Sequence, residues 1–158
     1  MTMPVQKPGR SKQDYRTPPE FLAALKKKLG ITHFVADLAA TEENAVAASF
    51  YTEADDALTR GWSLGGWVFC NPPYKHIEPW VIKAVEESEK GAQIAMLLPA
   101  GVGSNWWDCF VHNWAHVLFL NGRLTFVGEK DCYPKDSAIL LYSHYIHGGY
   151  ETWTWRDE

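Results

Sequence analysis

Short apolar runs alternate along the chain with longer segments whose apolar residues recur three or four positions apart. Residues 66–70, 93–98 and 116–120 are apolar runs of the length expected for buried strands. Residues 21–29 and 76–90 show the helical spacing instead. Strands that alternate with amphipathic helices predict an α/β layered fold with a mostly parallel sheet, because parallel neighbours need a crossover connection that is usually a helix.

The first helix has sequence signals at both ends. Thr17 is a predicted N-cap, Pro18 suits the first helical position, and Glu20 completes a capping box with Thr17. Gly30 follows the last apolar position and is typical of a helix C-terminus. The pattern therefore predicts a helix that begins at Pro18 and ends before Gly30.

The remaining elements carry weaker signals, and turn residues set their boundaries. Thr41, followed by Glu42, Glu43 and Asn44, predicts a helix start. Further predictions are strands at residues 31–38, 124–127 and 137–143, a helix at 103–113, and an edge strand in the tail around Trp153 and Trp155.

The chain divides into a short arm and one domain. Residues 1–13 are rich in Lys, Pro, Gly and Ser without periodicity, which predicts a flexible basic arm. Residues 14–158 are enough for a single domain with its own core. No internal repeat or second domain is evident in the sequence.

Composition excludes several classes of protein. Hydrophobic residues make up 46% of the chain and aromatic residues 14%, which excludes a disordered protein. The apolar runs are too short to span a membrane, and no secretory signal opens the chain. Three widely spaced cysteines do not form a disulfide framework, so we expect a cytoplasmic protein. Cys109, His112 and His116 lie at helical spacing but lack a fourth ligand, so we expect no metal.

Charge is distributed unevenly along the chain. The net charge is −4, yet residues 1–28 carry seven basic and two acidic side chains. A basic N-terminal segment on an acidic body suits contact with nucleic acid phosphates. A solubilising tail beside the solvated face of a helix explains the same pattern, and the charge alone favours this second interpretation.

The tetrapeptide Asn71-Pro72-Pro73-Tyr74 carries the strongest chemical signal. It follows an apolar strand and precedes an amphipathic helix, at the strand end where open α/β sheets bind ligands. Asn71 and the proline carbonyls offer acceptors beside the flat ring of Tyr74, a combination that suits a planar substrate with an exocyclic amino group. Acceptors on that amino group would stabilise the positive charge that develops as its nitrogen attacks. The alternative is a turn that simply ends the strand.

The tetrapeptide is one of seven ordered segments that resemble the phage-type DNA N6-adenine methyltransferases, the Dam-like family. The segments are YRTPPEFLAAL at residues 15–25, FVADLAA at 34–40, FYTEADDAL at 50–58 with a following Trp62, WVFCNPPY at 67–74, IEPWVIKA at 77–84, MLLPA at 96–100 and NGRLTF at 121–126. The resemblance implies a compact three-layer, Rossmann-like methyltransferase fold without a large target-recognition domain. It also implies methyl transfer from S-adenosylmethionine (SAM) to adenine N6 in DNA, without a metal.

The resemblance assigns residues to the two halves of the site. The residues implied for the target base and for catalysis are Asn71, Pro72, Pro73 and Tyr74, and those implied for SAM are Thr17, Pro18, Asp37, Ala39, Asp56 and Asn71. Asp37 would meet the methionine ammonium and Asp56 the adenine of SAM, with Asp55 a near-equal candidate. A glycine-rich loop is missing after Asp37, and the acid for the SAM ribose stays open among Glu42, Glu43 and Glu53.

Contacts to DNA are expected around the tetrapeptide. Lys75 is a candidate for a phosphate contact, with plain solvation as the alternative, and Arg123 is a candidate for DNA contact near the site, with structural pairing as the alternative. The pair Trp106-Trp107, Trp106 in particular, could stack on DNA or wedge into a duplex, with core packing as the alternative for at least one of the two. Base-reading residues are expected in segments 101–115 or 128–136. The expected partner is double-stranded DNA, in a bacterial cell that carries the phage or prophage. Because the target N6 is stacked and paired in a duplex, the adenine would have to be flipped out into the site.

Two other classes of function remain open at this stage. The same tetrapeptide serves enzymes that methylate RNA guanine or a protein glutamine amide. A catalytically inactive SAM- or DNA-binding module is the third possibility.

Overall fold

The computed structural model describes residues 15–157, so the predicted basic arm at residues 1–13 lies outside the described residues. The elements, in chain order, are α1 (Pro19–Leu29), β1 (Ala36–Asp37), a 3₁₀ turn (Ala57–Thr59), β2 (Trp67–Cys70), α2 (Glu78–Glu89), β3 (Gln93–Pro99), α3 (Asn105–Phe110), β4 (His116–Leu120), β5 (Ser137–Tyr142), β6 (Tyr150–Trp153) and a second 3₁₀ turn (Trp155–Asp157). The six strands form one sheet in the order β1-β2-β3-β5-β4-β6.

The sheet is mixed, so the predicted parallel arrangement is found only in part. β1, β2 and β3 are parallel neighbours and β4 is parallel to β6, but β5 runs antiparallel to both β3 and β4. The reason lies in residues 121–136, which join β4 to β5 without a helix or strand of their own. A connection without a crossover returns the chain beside the strand that it has just left, and the two strands then run in opposite directions.

Helices cover both faces of the sheet. On one face, alternate strand residues such as Val68 and Met96 pack with Trp80 of α2 and Trp107 of α3. On the other face, the intervening residues pack with Phe21 and Leu25 of α1 and with Trp153 and Trp155 of the C-terminal segment. This two-sided burial explains why the central strands are continuous apolar runs rather than alternating ones. The described residues thus form three layers, in agreement with the predicted α/β class.

The start of α1 differs from the prediction. Pro18 is the N-cap, with extended backbone (φ −60°, ψ 135°), and the helix begins at Pro19. A residue that precedes proline is driven out of the helical region by the proline ring, so Pro19 keeps Pro18 extended. Thr17 therefore lies outside the helix and makes no capping hydrogen bond. The predicted end is confirmed, since Gly30 adopts the left-handed conformation with φ 71°.

Two other local predictions are wrong. No helix begins at Thr41, because the Thr41 N–H donates to the Asn44 side chain and the Asn44 N–H to the Thr41 hydroxyl, which closes a local turn instead. Residues 124–127 form no strand in the sheet. Both sides of β4 are already taken by β5 and β6, and Val127 makes only an isolated bridge to Arg16.

Among residues 15–157, no helix is long and apolar enough to cross a membrane.

Candidate active site

The tetrapeptide Asn71 to Tyr74 lies where the sheet predicts a site. β2 ends at Cys70, and the parallel strands β1 and β3 end at the same edge. Asn71 is only 7% exposed, and Pro72 behind it is buried. Neither proline has an N–H to donate, so the ladder with β3 cannot continue and the backbone turns toward α2. The polar groups of Asn71 are therefore held in a confined space at the sheet edge.

Two hydroxyl groups fix the amide of Asn71. Its Nδ2 donates to the Thr17 Oγ1 at 3.4 Å, and its Oδ1 accepts from the Tyr74 hydroxyl at 2.7 Å. The Leu97 carbonyl oxygen lies 3.4 Å from the same Tyr74 hydroxyl. These partners orient the side-chain oxygen of Asn71 toward the Tyr74 side of the site. A carbonyl oxygen has a second lone pair, so Asn71 can accept one further hydrogen bond.

Tyr74 belongs to a cluster of four aromatic rings with Tyr15, Phe126 and Tyr133. Tyr133 meets Tyr74 edge to face, with ring centroids 5.8 Å apart, and Tyr15 stacks on Phe126 at 5.0 Å. Burial raises the pKa of the Tyr74 hydroxyl well above 10, and burial raises that of Tyr133 to about 12. Both hydroxyls therefore stay protonated and act as neutral hydrogen-bond donors at neutral pH.

An open pocket of about 490 Å³ begins at Tyr74, and we call it the Tyr74 pocket. Its polar and aromatic lining consists of Tyr74, Ser104, Trp106, Arg123, Tyr133, Lys135 and Asp136. Two of the residues expected to contact DNA, Trp106 and Arg123, are thus brought together with Tyr74. Lys75 is exposed beside the tetrapeptide but does not line this pocket. Trp107, the neighbour of Trp106, is buried in the core.

The lining also contains residues that sequence analysis did not single out. Tyr133, Lys135 and Asp136 lie in the connection between β4 and β5, inside the segment 128–136 that was expected to read bases. Asp136 pairs with Arg123, whose Nε lies 3.1 Å from Asp136 Oδ1. The signal that could have identified them is a tyrosine in an otherwise polar loop, closely followed by charged residues. An aromatic side chain does not make a loop more soluble, so its presence there indicates contact with another group.

Asp37 ends β1 and is only 3% exposed. Its two carboxylate oxygens accept hydrogen bonds from the backbone N–H groups of Ala39 and Val46. Burial raises the pKa of Asp37 to about 6, although these two bonds act in the opposite direction. Burial and the negative charge of Asp37 together raise the pKa of Cys70. Asp37 thus lies close to Cys70, the last residue of β2, which directly precedes Asn71.

The two remaining acid candidates differ in their surroundings. The Asp55 carboxylate accepts from the Thr52 N–H at 2.8 Å and from its hydroxyl at 3.0 Å, which lowers the pKa of Asp55. Within residues 15–157, no hydrogen bond engages the side chain of Asp56, which is exposed and precedes the 3₁₀ turn with φ 53°. Of Asp55 and Asp56, Asp56 is therefore the one whose carboxylate could bind a ligand without breaking the loop.

The other residues expected near SAM have different surroundings near the carboxyl ends of β1 and β2. Ala39 is buried behind Asp37, and Thr17 reaches Asn71. Pro18 lines a separate groove between α1 and the C-terminal turn, beside Trp155 and Arg156. In the described part of the chain, no three His, Cys, Asp or Glu side chains converge on a metal-sized point.

Comparison with known proteins gives a consistent family. A family model for DNA N-6-adenine-methyltransferase (Dam) matches residues 5–144. A DNA N-6-adenine-methyltransferase of Escherichia phage T1 is 35% identical over 129 residues, which cover 82% of this chain and 53% of that protein. The protein of the same name in Haemophilus phage HP1 is 29% identical over 116 residues, which cover 69% of this chain and 66% of that protein.

A third relative is the putative methyltransferase YfdM of Escherichia coli K12, which is 38% identical over 71 residues, or 42% of this chain and 71% of that protein. The chain spans about half the length of the phage T1 relative and about two thirds of the phage HP1 relative. The family model nevertheless covers the tetrapeptide, the Tyr74 pocket and the core cluster on the α2 face of the sheet, and it ends before Trp153 and Trp155 of the other cluster. The chain belongs to the Dam family of DNA N-6-adenine-methyltransferases.

Proposed function

We propose that this protein transfers a methyl group from SAM to N6 of an adenine in DNA, and that the adenine is flipped into the Tyr74 pocket. The observation that carries the proposal is the amide of Asn71. It is fixed by Thr17 and Tyr74 at the sheet edge, with one acceptor site on its oxygen still available. Membership of the Dam family supports the same reaction.

Asn71 and the Pro72 backbone would bind the amino group that reacts. Two acceptors hold the two N–H groups of adenine N6 and orient its nitrogen for in-line attack. As the nitrogen bonds the methyl carbon, the bond between that carbon and the sulfur of SAM would break and the neutral thioether would leave. The nitrogen would carry a positive charge until it loses one proton to solvent, and acceptors that are already in position would stabilise that charge without reorganising. Pro73 keeps the turn rigid, so the two acceptors hold their spacing.

Tyr74 and its neighbours would bind the base itself. The ring of Tyr74 offers a stacking face, and Trp106 lines the same pocket. A base must leave the helix stack before N6 can be reached, so a pocket with apolar or aromatic walls is expected in an enzyme that modifies a base of duplex DNA. The pocket volume of about 490 Å³ lies within the range of small-molecule sites.

The strand end beside Asn71 fits SAM. Among residues 15–157, the Asp37 carboxylate is hydrogen-bonded only by neutral backbone donors, so this buried acid favours a cationic group such as the methionine ammonium. Asp56 offers a free carboxylate for the SAM adenine. Ala39 follows Asp37 and Thr17 contacts Asn71, whereas Pro18 would have to contact SAM from the separate groove that it lines. When bound, SAM supplies the electrophilic methyl group. The three-layer arrangement of the fold is consistent with the doubly covered sheet of SAM-dependent methyltransferases.

Basic residues around the Tyr74 pocket would hold the DNA. Arg123 and Lys135 line the pocket, and Lys75 is exposed beside the tetrapeptide. Because their positive charges lie at the mouth of an aromatic pocket, phosphates on either side of a flipped base can be neutralised while the base is bound. We therefore expect double-stranded DNA as the substrate, inside a bacterial cell that carries the phage or prophage.

The test is nucleoside mass spectrometry of DNA from a bacterium that lacks adenine methylation and expresses the protein. We expect N6-methyladenine with the wild-type chain and at least about a hundredfold less with Asn71→Ala, by analogy with the loss of one preorganised hydrogen-bond partner. Gln93→Ala is the matched control, because Gln93 begins β3 and its amide lies at the opposite edge of the sheet. Methyladenine at wild-type level with Asn71→Ala would refute the role of Asn71. Methylation of RNA or protein instead of DNA would refute adenine in DNA as the methyl acceptor and would indicate one of those two acceptors.

A further inference from the structure

Val102 is an apolar side chain held in solvent next to the proposed target-base pocket. It is 59% exposed, more than any other valine, leucine or isoleucine in residues 15–157. It follows β3, which ends at Pro99, and precedes α3, which begins at Asn105. Val102 thus lies at the carboxyl edge of the sheet, on the same side as Asn71. Single exposed valines are common, so its position and its surroundings must carry the argument.

The loop that carries Val102 is fixed by its own hydrogen bonds. The Gly101 N–H donates to the Pro99 carbonyl at 2.8 Å, and the Val102 N–H donates to the Ala100 carbonyl at 2.9 Å. The Ser104 N–H and hydroxyl both donate to the Gly101 carbonyl. Two successive tight turns of this kind leave the backbone little freedom, so Val102 is presented at a defined place.

Neighbouring segments hold the loop from both sides. The Ala100 N–H donates to the Asp136 carbonyl at 2.9 Å, which ties the loop to the start of β5. Gly101 lies directly beside the Trp106 ring, since a Cβ at Gly101 would approach Trp106 Cζ2 to 2.7 Å. The loop therefore cannot fold down to bury Val102 without disturbing Trp106, a wall of the Tyr74 pocket.

The loop forms the rim between two pockets. Ala100, Gly101 and Ser104 line the Tyr74 pocket, whereas Ala100 and Val102 line a second pocket of about 550 Å³. Asp136 belongs to both linings, so the two pockets adjoin. A duplex whose adenine entered the Tyr74 pocket would place the emptied position of its base stack over this rim.

We propose that Val102 is a wedge that enters the base stack and fills the space vacated by the flipped adenine. The inference rests on the proposed function, since it requires a flipped base. Apolar side chains are the groups that proteins insert between base steps, because they replace stacking contacts without needing hydrogen bonds. Val102 is a positioning residue here, since it acts on the DNA stack and not on the reacting atoms.

The test compares two substrates that differ only opposite the target adenine. The first is a duplex with the sequence that wild-type protein methylates, and the second has an abasic site in place of the base paired with that adenine. Unpaired bases flip at lower cost, so the second substrate needs a wedge less. For Val102→Ala we expect kcat/KM to fall about tenfold on the paired duplex and to stay within about twofold on the abasic duplex.

Controls separate a wedge from a structural role. Leu64→Ala removes an exposed aliphatic side chain before β2, at the opposite edge of the sheet, and should leave both substrates unaffected. Val102→Leu keeps an apolar tip and should retain activity on the paired duplex. With 2-aminopurine at the target position, wild-type protein should raise its fluorescence on binding, and Val102→Ala should raise it less.

Either of two results would overturn the wedge. Val102→Ala activity that is unchanged on the paired duplex would show that nothing needs to fill the stack. An equal loss on both substrates would assign Val102 to folding or to general DNA contact. If the wild-type protein methylates no DNA at all, no such duplex can be chosen and the proposed function fails instead, so the two failures are distinguishable.

Discussion

The Thr17 hydroxyl lies 3.4 Å from the amide nitrogen of Asn71, a residue 54 positions later in the chain. The local pattern around Thr17 predicts a helix cap, because Ser and Thr before an apolar periodicity cap helices in many proteins. The second proline moves the helix start to Pro19 and leaves the hydroxyl available for the site. Sequence alone pointed to Thr17 as a site residue through its family, but its partner follows only from the tertiary fold.

Loss of the Thr17 hydroxyl should affect catalysis more than folding. In Thr17→Val the Asn71 amide keeps only one of its two partners and can rotate away from the reactive orientation. We expect kcat to fall about threefold to tenfold, which corresponds to one hydrogen bond of about 0.5–1.5 kcal/mol. Thr17→Ser retains the acceptor and should restore kcat, measured by methyl transfer to DNA from labelled SAM. Equal loss in both variants would contradict an orienting role.

Asp37 makes a prediction about pH. Its pKa in the folded protein is raised from 3.8 to about 6, so folding favours the protonated form. The free energy of unfolding should therefore increase as the pH falls from 7 toward 4, by about 1.4 kcal/mol per unit of pKa shift, and this slope should flatten in Asp37→Asn. Denaturant unfolding at several pH values checks this, and an identical slope in the variant would contradict it.

SAM should reverse that preference. A cationic ammonium beside Asp37 favours the charged carboxylate, so binding should release a proton near pH 6. Below pH 6, the affinity for SAM should increase by up to about tenfold for each unit by which the pH rises. Above pH 6 the affinity should level off. Calorimetric titration in buffers of different ionisation enthalpy measures the released proton. Binding without proton release near pH 6 would place the ammonium elsewhere.

At the scale of elements, the long periodic segments were predictable and the short ones were not. The cores of α2, β3 and β4 follow from apolar spacing, since each buries one face or both. The reversed direction of β5 follows from the connection at residues 121–136, which contains no crossover helix, and the sequence pattern predicted a strand at 124–127 there instead. The same limit explains residues 124–127, whose apolar alternation fits a strand but whose place beside β4 is already filled.

The residues of the candidate site likewise divide into those predicted from local sequence and those that only the tertiary fold identifies. Asn71 to Tyr74 were predictable because they follow an apolar strand at a fixed offset, and Asp37 because it ends another. Tyr133 and Lys135 were foreseen only as part of a segment, since they reach the pocket through the β4–β5 connection. Long-range placement of this kind follows from how the strands pair, which short spacing cannot reveal.

One contact between elements holds the segment that joins the 3₁₀ turn after Asp56 to β2. Glu87 of α2 is only 2% exposed, and it accepts a hydrogen bond from the Trp62 N–H at 2.6 Å. Burial opposes the charge of Glu87, but the Trp62 bond and the ammonium groups of Lys90 and Lys83 keep its pKa below the usual value. The helix thus fastens the segment between the 3₁₀ turn and β2.

Glu87→Ala should therefore destabilise the protein and weaken SAM binding together. The Trp62 N–H would be left buried without its partner, at a cost of about 1–3 kcal/mol in the free energy of unfolding. Glu89→Ala, an exposed neighbour on the same helix, should change stability by less than about 0.5 kcal/mol. Urea denaturation measures both values. Equal stability of the two variants would show that the Trp62 contact contributes little.

At the scale of the whole molecule, charge separates two regions. The chain carries a net charge of −4, yet its first 28 residues are strongly basic. Association with DNA has to overcome repulsion by the acidic body, and the basic residues at the N-terminus oppose that repulsion. The prediction concerns sequence and charge alone, because residues 1–14 lie outside the described part of the chain.

Neutralising the basic N-terminus should reduce the salt dependence of DNA binding. The triple change Lys7→Gln, Arg10→Gln and Lys12→Gln removes three cations. We expect the slope of log Kd against log salt concentration to fall by up to about 3, because each phosphate contact contributes about 0.9. The same change at Lys26, Lys27 and Lys28 of α1 is the charge-matched comparison. An unchanged slope in the first variant would assign residues 1–13 a role in solubility only.

The connection between β4 and β5 has a practical consequence. Antiparallel neighbours can be joined by as few as two residues, yet residues 121–136 span this gap and bring Arg123, Tyr133 and Lys135 to the pocket. Most of that length is unnecessary for strand pairing, and most of residues 127–136 is exposed. We therefore expect that exchange of the mostly exposed residues 127–136 between relatives would change which DNA sequence is methylated, while the sheet and the buried Leu124 and Phe126 stay the same.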